Sequence, residues 1–371
     1  MNIGITGSNG FIGWHLKNRI IYNHDDLNLI EFKREYFSDS ELLSEFTSRC
    51  QVIIHLASVN RHIDEDFIYS ENLKICKILI NSIKKNKTKL HLINASSVQE
   101  DNESKFGKSK KEVNILFAKA AKTDDFRYTN LVIPNVFGPF CKPNYNSFIS
   151  TFCYKLINNE KVNLTNDRPI DLLYIDDLID LLIKYIKSSG QSFEVKNFKT
   201  NRILISEVLL KIKCFKKQYL SSGEIPNINV DFDRNLFNTF RSYIPINKLI
   251  RKIHKHIDDR GFFSEIIRAH SGGQTSISNS FRNIERGNHF HTRKIERFYV
   301  ISGKAKLKMR KVSTNEVFEF ILDSKLNQYI DIPIWYTHNI INIGKNELKT
   351  IFWINEHYDE KTHDTYILDV I

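Results

Sequence analysis

Met1-Asn2-Ile3-Gly4-Ile5-Thr6-Gly7-Ser8-Asn9-Gly10-Phe11-Ile12-Gly13 opens the chain, and the order of its parts decides how the first 138 or so residues fold. Asn2–Thr6 reads as a strand. It runs directly into glycines spaced G-x-x-G-x-x-G, which open the first helix, so backbone N–H groups and the helix dipole face a pyrophosphate. Strand, glycines, helix and a following strand lie within about 30 residues, the context a dinucleotide site requires. Working outward, apolar runs at Leu27–Phe32, Val52–Ala57, Leu90–Ser96 and Tyr128–Pro134 alternate with helical patterns. In Asn72–Lys85, for example, Leu73, Cys76, Leu79, Ile80 and Ile83 recur at helical spacing. Such alternation predicts a doubly wound parallel sheet of the Rossmann type.

Beyond Ile257 the texture changes to short runs rich in Phe, Tyr, Ile and Val, punctuated at Gly272–Gly273, Gly303 and Gly344. An antiparallel barrel or sandwich is expected there. The boundary falls within Ser242–Ile257, giving an α/β domain over 1–245 and an all-β domain over 250–371. With 371 residues, 41% of them hydrophobic, two cores are affordable. Five scattered cysteines, none in a C-x-x-C pair, argue against disulfides or a thiolate zinc site and for a reducing cytoplasm. Neither a signal segment nor a run of 18 apolar residues occurs, so no membrane span is expected. The net charge of +11 is spread along the chain without interleaved stacking aromatics, which speaks against nucleic acid.

After the second strand the sequence reads Glu31-Phe32-Lys33-Arg34. Two cations there favour the 2′-phosphate of NADP, with Glu31 a competing ribose ligand. The second constellation is Gly287-Asn288-His289-Phe290-His291, then Glu296, and later His338. Residues two apart on a strand share a face, so His289 and His291 reach one ion, with Glu296 past the next bend and His338 from another strand. Three imidazoles and a carboxylate suit zinc or another divalent transition metal and leave space for a substrate oxygen.

The glycine loop, His55-Leu56-Ala57, Asn72, Pro134-Asn135-Val136-Phe137-Gly138-Pro139 and Tyr174-Ile175-Asp176-Asp177 together resemble the extended short-chain dehydrogenase/reductase family. The resemblance implies that Gly7, Gly10, Phe11, Ile12, Gly13, Leu56 and Ala57 contact the cofactor. It also implies a Ser, a Tyr and a Lys four residues after the Tyr, which move a proton while hydride transfers. Here Ser97 and Lys110 are present, but the tyrosine position is Phe106. A benzene ring has no proton to give, and losing a positioned acid typically costs about 100- to 10,000-fold. Lys110 keeps its role toward the nicotinamide ribose. Ser104 and Ser109 are substitute donors to consider, although neither shares the helix face of 106 and 110.

The pattern H-x-H, E, G, then P-x-x-x-x-H-x-x-x-N resembles the cupin superfamily, a jelly-roll fold, with Trp335 where the second motif usually has glycine. Asp258-Asp259-Arg260-Gly261-Phe262-Phe263-Ser264-Glu265 is similar to a segment of deoxysugar 3,5-epimerase cupins that meets the substrate nucleotide, which implicates Arg260 and Glu265; the alternative is a surface pairing of those two residues. Both domains in this order resemble bifunctional capsular polysaccharide synthesis enzymes of the CapF/WbjC/FnlB type. Val59-Asn60-Arg61, Cys141-Lys142-Pro143-Asn144-Tyr145-Asn146-Ser147, Asp331-Ile332-Pro333 and Tyr336-Thr337-His338-Asn339 carry this likeness as well. It implies a homodimer acting on a UDP-linked 4-keto-6-deoxy amino sugar, with Asn135, Asn144 and Asn146 toward the substrate. The cupin epimerises C3 and the reductase domain reduces C4 with NADPH, leading to UDP-N-acetyl-L-fucosamine. Tyr336, two residues from a ligand, is a candidate proton carrier. A second reading keeps the epimerase and treats the first domain as a scaffold because of Phe106; a third makes the chain a cofactor sensor.

Overall fold

A computed structural model describes every residue except Thr88 and divides the chain into two compact units, Met1–Thr151 with Asn166–Ile205, and Phe152–Thr165 with Ser206–Ile371. The first unit contains β1 (Asn2–Thr6), α1 (Phe11–Asn23), β2 (Asn28–Ile30), α2 (Ser40–Arg49), β3 (Val52–His55), α3 (Glu65–Asn86), β4 (His91–Ser97), α4 (Lys105–Thr123), β5 (Arg127–Ile133) and β6 (Asn135–Phe137). After α5 (Phe148–Ile157) come β7 (Pro169–Tyr174), α6 (Ile175–Lys187), β8 (Phe193–Val195) and β9 (Asn201–Leu204). Six strands form a parallel sheet in the order β2-β1-β3-β4-β5-β8, as the alternation of strands and helices required. The chain leaves β1 to one side for β2 and then returns to its other side for β3. That reversal opens a crevice beyond the carboxyl ends of β1 and β3, where such sheets bind ligands.

Two local departures have clear causes. The second strand stops at Ile30, short of the expected Phe32, because the Phe32 ring turns into an aromatic cluster 5.0 Å from Phe37 and 4.9 Å from Phe46. The helix expected over 72–85 starts at Glu65, since the Asp64 side chain accepts from Asp66 N–H at 2.9 Å, and it ends at Lys87 in the left-handed region, φ 48°. A small sheet, β6-β7-β9, was not legible in the alternation.

The second unit contains α7 (Ile205–Phe215, from Ser206 onward), α8 (Asp231–Arg241), β10 (Ile250–Lys252), β11 (His256–Asp258), β12 (Gly261–Phe263), β13 (Gln274–Ser280), β14 (Glu285–Phe290), β15 (Glu296–Ser302), β16 (Lys304–Lys311), β17 (Val317–Asp323), β18 (Gln328–Ile332), β19 (Tyr336–Asn342), β20 (Leu348–Ile354) and β21 (Tyr366–Ile367). Two antiparallel sheets, β10-β18-β15-β20-β13 and β17-β16-β19-β14-β21, bury their facing sides. Phe298 of β15 meets His338 of β19 with ring centres 6.0 Å apart. Because strand side chains alternate, Glu296 points inward beside Phe298 and Arg297 points out the back.

That back face binds residues 216–241. Arg297, 1% exposed, grips Asp331 through Nε at 2.7 Å and Nη2 at 3.0 Å, and the Tyr219 hydroxyl donates to Asp331 at 2.6 Å. Arg241 donates to the Ile332 carbonyl at 2.7 Å and Asn238 to the Arg293 carbonyl at 2.8 Å. A buried charge pair with one partner removed typically costs about 3–5 kcal/mol, so these bonds hold the helical segment and the strands as one body.

Candidate functional site

The glycine loop follows β1 at the crevice. Gly7 adopts φ 79°, and a Cβ there would lie 2.9 Å from the backbone nitrogen of Ala57, so Leu56 and Ala57 can approach the loop only because Gly7 lacks a side chain. Gly13, in the first turn of α1 after Phe11 and Ile12, is packed equally tightly against the Gly7 carbonyl. Thr6 Oγ1 lies 2.9 Å from His55 Nδ1 and ties the ends of β1 and β3 together. Gly10 N–H is used by the Gly7 carbonyl at 3.0 Å. Lys33 and Arg34 follow the neighbouring strand β2 and are exposed.

Phe106 and Lys110 lie one turn apart on α4, with the Lys110 ammonium 5.6 Å from the centre of the Phe106 ring. Burial pushes the Lys110 ammonium down to about 8, against the opposing field of Glu100, and its Nζ donates to the Ala95 carbonyl at 3.0 Å. Ser97, at the end of β4, is half-buried and accepts from Gln99 N–H at 3.2 Å. Ser104 and Ser109 are engaged elsewhere: Ser104 caps α4 by accepting from Gly107 N–H at 3.0 Å, and Ser109 donates to the Phe106 carbonyl at 2.7 Å. Sequence reading passed over Glu100. This carboxyl is 6% exposed, accepts from Ser96 Oγ at 2.5 Å, and is pushed up by burial.

Asn135, Asn144 and Asn146 are exposed around β6 and the loop after it, with Asn144 at φ 53°. Arg260 pairs with Asp258 at 2.5 Å in the exposed β11–β12 hairpin. Glu265 lines a pocket of about 200 Å³ together with Arg251, Arg268 and Tyr329.

His289, His291, Glu296 and His338 converge in the second unit, one ligand atom from each lying within 4.8 Å of the others. Register explains the convergence. His289 faces His338 across β14 and β19, ring centres 4.7 Å apart, after a bulge between Gly287 and His289. Gly287, φ 111°, permits the bulge, because a Cβ would sit 2.6 Å from the His338 carbonyl oxygen. His291 Nε2 and His338 Nε2 lie 3.1 and 3.2 Å from the same oxygen of Glu296. Their Nδ1 atoms are turned to the carbonyls of Asp364 and Tyr336, which leaves each Nε2 for the centre. Burial holds the His289 imidazole down to about 4, with His338 and His291 adding to the effect. Burial raises the Glu296 carboxyl, but the facing His291 and His338 overcome it and hold the group well below its ordinary range.

Two neighbours complete this shell. The buried Asp364 carboxylate accepts from the N–H groups of Thr292, Arg293 and Lys294 at 2.7–3.1 Å, pinning the segment that carries His291. It lies 72 residues from Thr292, with no local signal in the sequence. Trp335 has φ 61°, the left-handed conformation that explains why glycine is usual at this point; its ring stacks on Phe290 at 5.5 Å and its backbone N–H donates to the His291 carbonyl at 2.6 Å. Tyr336 begins β19 on the same strand face as His338, its phenol pushed up by burial to about 12.

Residues 3–197 match the NAD dependent epimerase/dehydratase family, and residues 256–366 match the polysaccharide biosynthesis C-terminal domain. The capsular polysaccharide assembling protein CapF from Staphylococcus aureus is 31% identical, with 100% of both chains covered and a TM-score of 0.62. The UDP-2-acetamido-2,6-beta-L-arabino-hexul-4-ose reductase of Pseudomonas aeruginosa is 27% identical over 100% of this chain and 99% of its own. The spore coat polysaccharide biosynthesis protein SpsL of Bacillus subtilis is 24% identical over 31% of this chain and 83% of its own. Fold and site thus define a dinucleotide-binding epimerase/dehydratase unit joined to a β unit with a buried histidine–carboxylate cluster. The chain belongs to the NAD dependent epimerase/dehydratase family, in the branch of CapF-type capsular polysaccharide enzymes, and its cofactor is a nicotinamide dinucleotide.

Proposed function

We propose that the protein converts a UDP-linked 4-keto-6-deoxy-N-acetylhexosamine in two steps toward UDP-N-acetyl-L-fucosamine: epimerisation at C3 by residues 250–371, then NADPH-dependent reduction of the C4 ketone by residues 1–245. The observation that carries this reading is the buried cluster itself. His291 Nε2, His338 Nε2 and Glu296 Oε2 are enclosed, face one another at 3.1–3.2 Å and have no hydrogen-bond partner beyond the cluster, a donor set that fits a divalent transition metal such as zinc. The name of the Pseudomonas relative, a reductase of a UDP-linked hexos-4-ulose, supports the substrate class.

A divalent ion held by His289, His291, Glu296 and His338 supplies positive charge to a carbonyl oxygen and so acidifies the adjacent C–H. The imidazoles and carboxylate keep that charge fixed in a dry site, where it acts most strongly. Tyr336, inward-facing beside His338, carries a proton at its phenol, which burial keeps protonated through neutral pH. Arg260 and Glu265 meet the nucleotide portion of the substrate.

NADPH supplies the hydride for the second step. The loop from Gly7 to Gly13 holds its pyrophosphate, Lys33 and Arg34 take the 2′-phosphate, Leu56 and Ala57 flank the dinucleotide, and Lys110 holds the nicotinamide ribose. Asn135, Asn144 and Asn146 orient the sugar nucleotide, and Ser97 hydrogen-bonds the ketone. All five cysteines are free, which supports a cytoplasmic enzyme, and the exposed Ile257, Phe262 and Phe263 of the hairpin support a homodimer. No helix among the described residues is long and apolar enough to cross a membrane. Phe106 favours one alternative, a C3 epimerase whose first unit is a scaffold. Incubation with the 4-keto sugar nucleotide and NADPH in heavy water separates the readings: deuterium at C3 together with NADPH oxidation supports both steps, C3 deuterium alone supports the scaffold, and neither signal removes the proposal.

A further inference from the structure

His291 and His338 each turn one ring nitrogen to a carbonyl outside the cluster, whereas the place of His289 depends on the backbone path of β14. Gly287 pairs with Asn339 and His289 with His338, so Asn288 is an extra residue between two consecutive register pairs. In an unbroken ladder Asn288 would face His338, and His289 would fall opposite Thr337. A one-residue slip turns every side chain to the other face, so His289 would then point away from Glu296. The bulge puts two successive residues in the left-handed region, Gly287 at φ 111° and Asn288 at φ 58°. Asparagine is among the few side chains that tolerate this conformation.

The Asn288 side chain also makes bonds that glycine could not. Its Nδ2 donates to Glu285 Oε1 at 2.7 Å, and its Oδ1 accepts from Asn339 Nδ2 at 3.0 Å and from the Val370 N–H at 3.4 Å. Its carbonyl accepts from the Leu368 N–H at 2.9 Å. Asn339, 4% exposed and next to His338 in β19, donates to the same Glu285 oxygen at 2.9 Å. Glu285, Asn288 and Asn339 therefore close a triangle of hydrogen bonds on the outer side of β14 and β19, behind the pair of His289 and His338. We propose that this triangle is the positioning device for His289: the Asn288 side chain locks the bulge in the register that aims the imidazole at His338 and Glu296. The inference rests on the reading of the cluster as a metal centre. Asn288 supplies no ligand atom and acts through the backbone it fixes. Partners of this kind, outside the ligand set, are typically worth about 10- to 100-fold in metal affinity.

Asn288→Gly keeps the left-handed backbone and removes the side chain, so it separates the hydrogen-bonded triangle from the torsion. With the full chain loaded with cobalt(II) and titrated against a chelator, this variant should hold the ion about 10- to 100-fold more weakly than wild type. Cobalt absorption reports the number and geometry of the donors, and the bands should shift toward those of His289→Ala. Combining Asn288→Gly with His289→Ala should weaken binding no further than His289→Ala alone, since the triangle acts through that imidazole. Reversing the polarity supplies a rescue. Asn288→Asp sets two carboxylates against each other and should weaken binding; adding Glu285→Gln provides an amide that donates to the new carboxylate and should restore it. A role in general stability of the fold predicts neither the shared spectrum nor the restoration. Wild-type affinity and spectrum in Asn288→Gly overturn the proposal, as do additive losses in the double variant or a failed rescue. If His289→Ala itself binds cobalt with wild-type affinity and spectrum, the metal reading of His289 falls and the triangle with it. If His289→Ala changes the spectrum and Asn288→Gly does not, the metal reading stands and the triangle alone falls.

Discussion

The cluster at 289–338 and the helix face at 96–110 fail and succeed in opposite ways. In the β unit four donors come from three separate stretches of chain, and register, a glycine bulge and the Asp364 anchor bring their atoms together. In the α/β unit the geometry is nearly automatic, because residues four apart on a helix share a face, yet the hydroxyl that the family resemblance leads one to expect is absent at Phe106. The first site is defined by its atoms and had to be assembled; the second has the spacing of Phe106 and Lys110 without the expected hydroxyl. Shape alone is therefore a poor guide to chemistry in this chain.

The largest expected effect lies in the cluster. His291→Ala removes one of two imidazoles whose Nε2 meets Glu296, so the purified protein, expected to hold about one divalent ion per chain, should lose most of it, and C3 exchange should fall by about a thousandfold or more. NADPH affinity should stay as in wild type. Metal analysis and deuterium incorporation check both, and full metal with full exchange in the variant contradicts the assignment. Asp364→Ala sharpens the same side: the ligands remain, but the segment carrying His291 loses its anchor, and chelator competition should show metal affinity lower by about 10- to 100-fold.

On the other side of the comparison, cofactor choice should rest on charge alone. Arg34→Ala should weaken NADPH by roughly 1.5–3 kcal/mol, about tenfold to a hundredfold, and leave NADH nearly unaffected. Titration by fluorescence decides it; equal affinity of the wild type for the two cofactors would remove the role given to Lys33 and Arg34.

What the sequence disclosed follows the reach of each interaction. The loop from Gly7 to Gly13 is contiguous, and its steric demands are local, so strand, turn and helix could be read in order. His289 and His291 were legible through the two-residue period of a strand. Asp364 was not, because it acts on Thr292 from 72 residues away, and neither was the bond between Tyr219 and Asp331, 112 residues apart. Glu100 is close to Ser96 in sequence, but only burial distinguishes it from the many exposed acids. The packing of residues 216–241 against the strands likewise depends on Arg297 turning outward, which follows from pleat and register together.

The smallest effect tests the comparison most directly, because it restores to the second site the single atom that separates its shape from its function. Phe106→Tyr adds one hydroxyl to a ring already in place, within reach of the Lys110 charge that stabilises a phenolate. Stability should barely change, since the ring position is only half-buried. NADPH should bind equally well, because the glycine loop, Lys33 and Arg34 are untouched. C4 reduction should rise about tenfold in the wild-type background, at the low end of what a positioned acid typically contributes. C3 deuterium exchange should stay constant, because its donors lie in the other unit. A gain in C4 reduction matched by a gain in C3 exchange would show that the two chemistries share a rate-limiting event, and the division of labour between the α/β and β units would have to be abandoned.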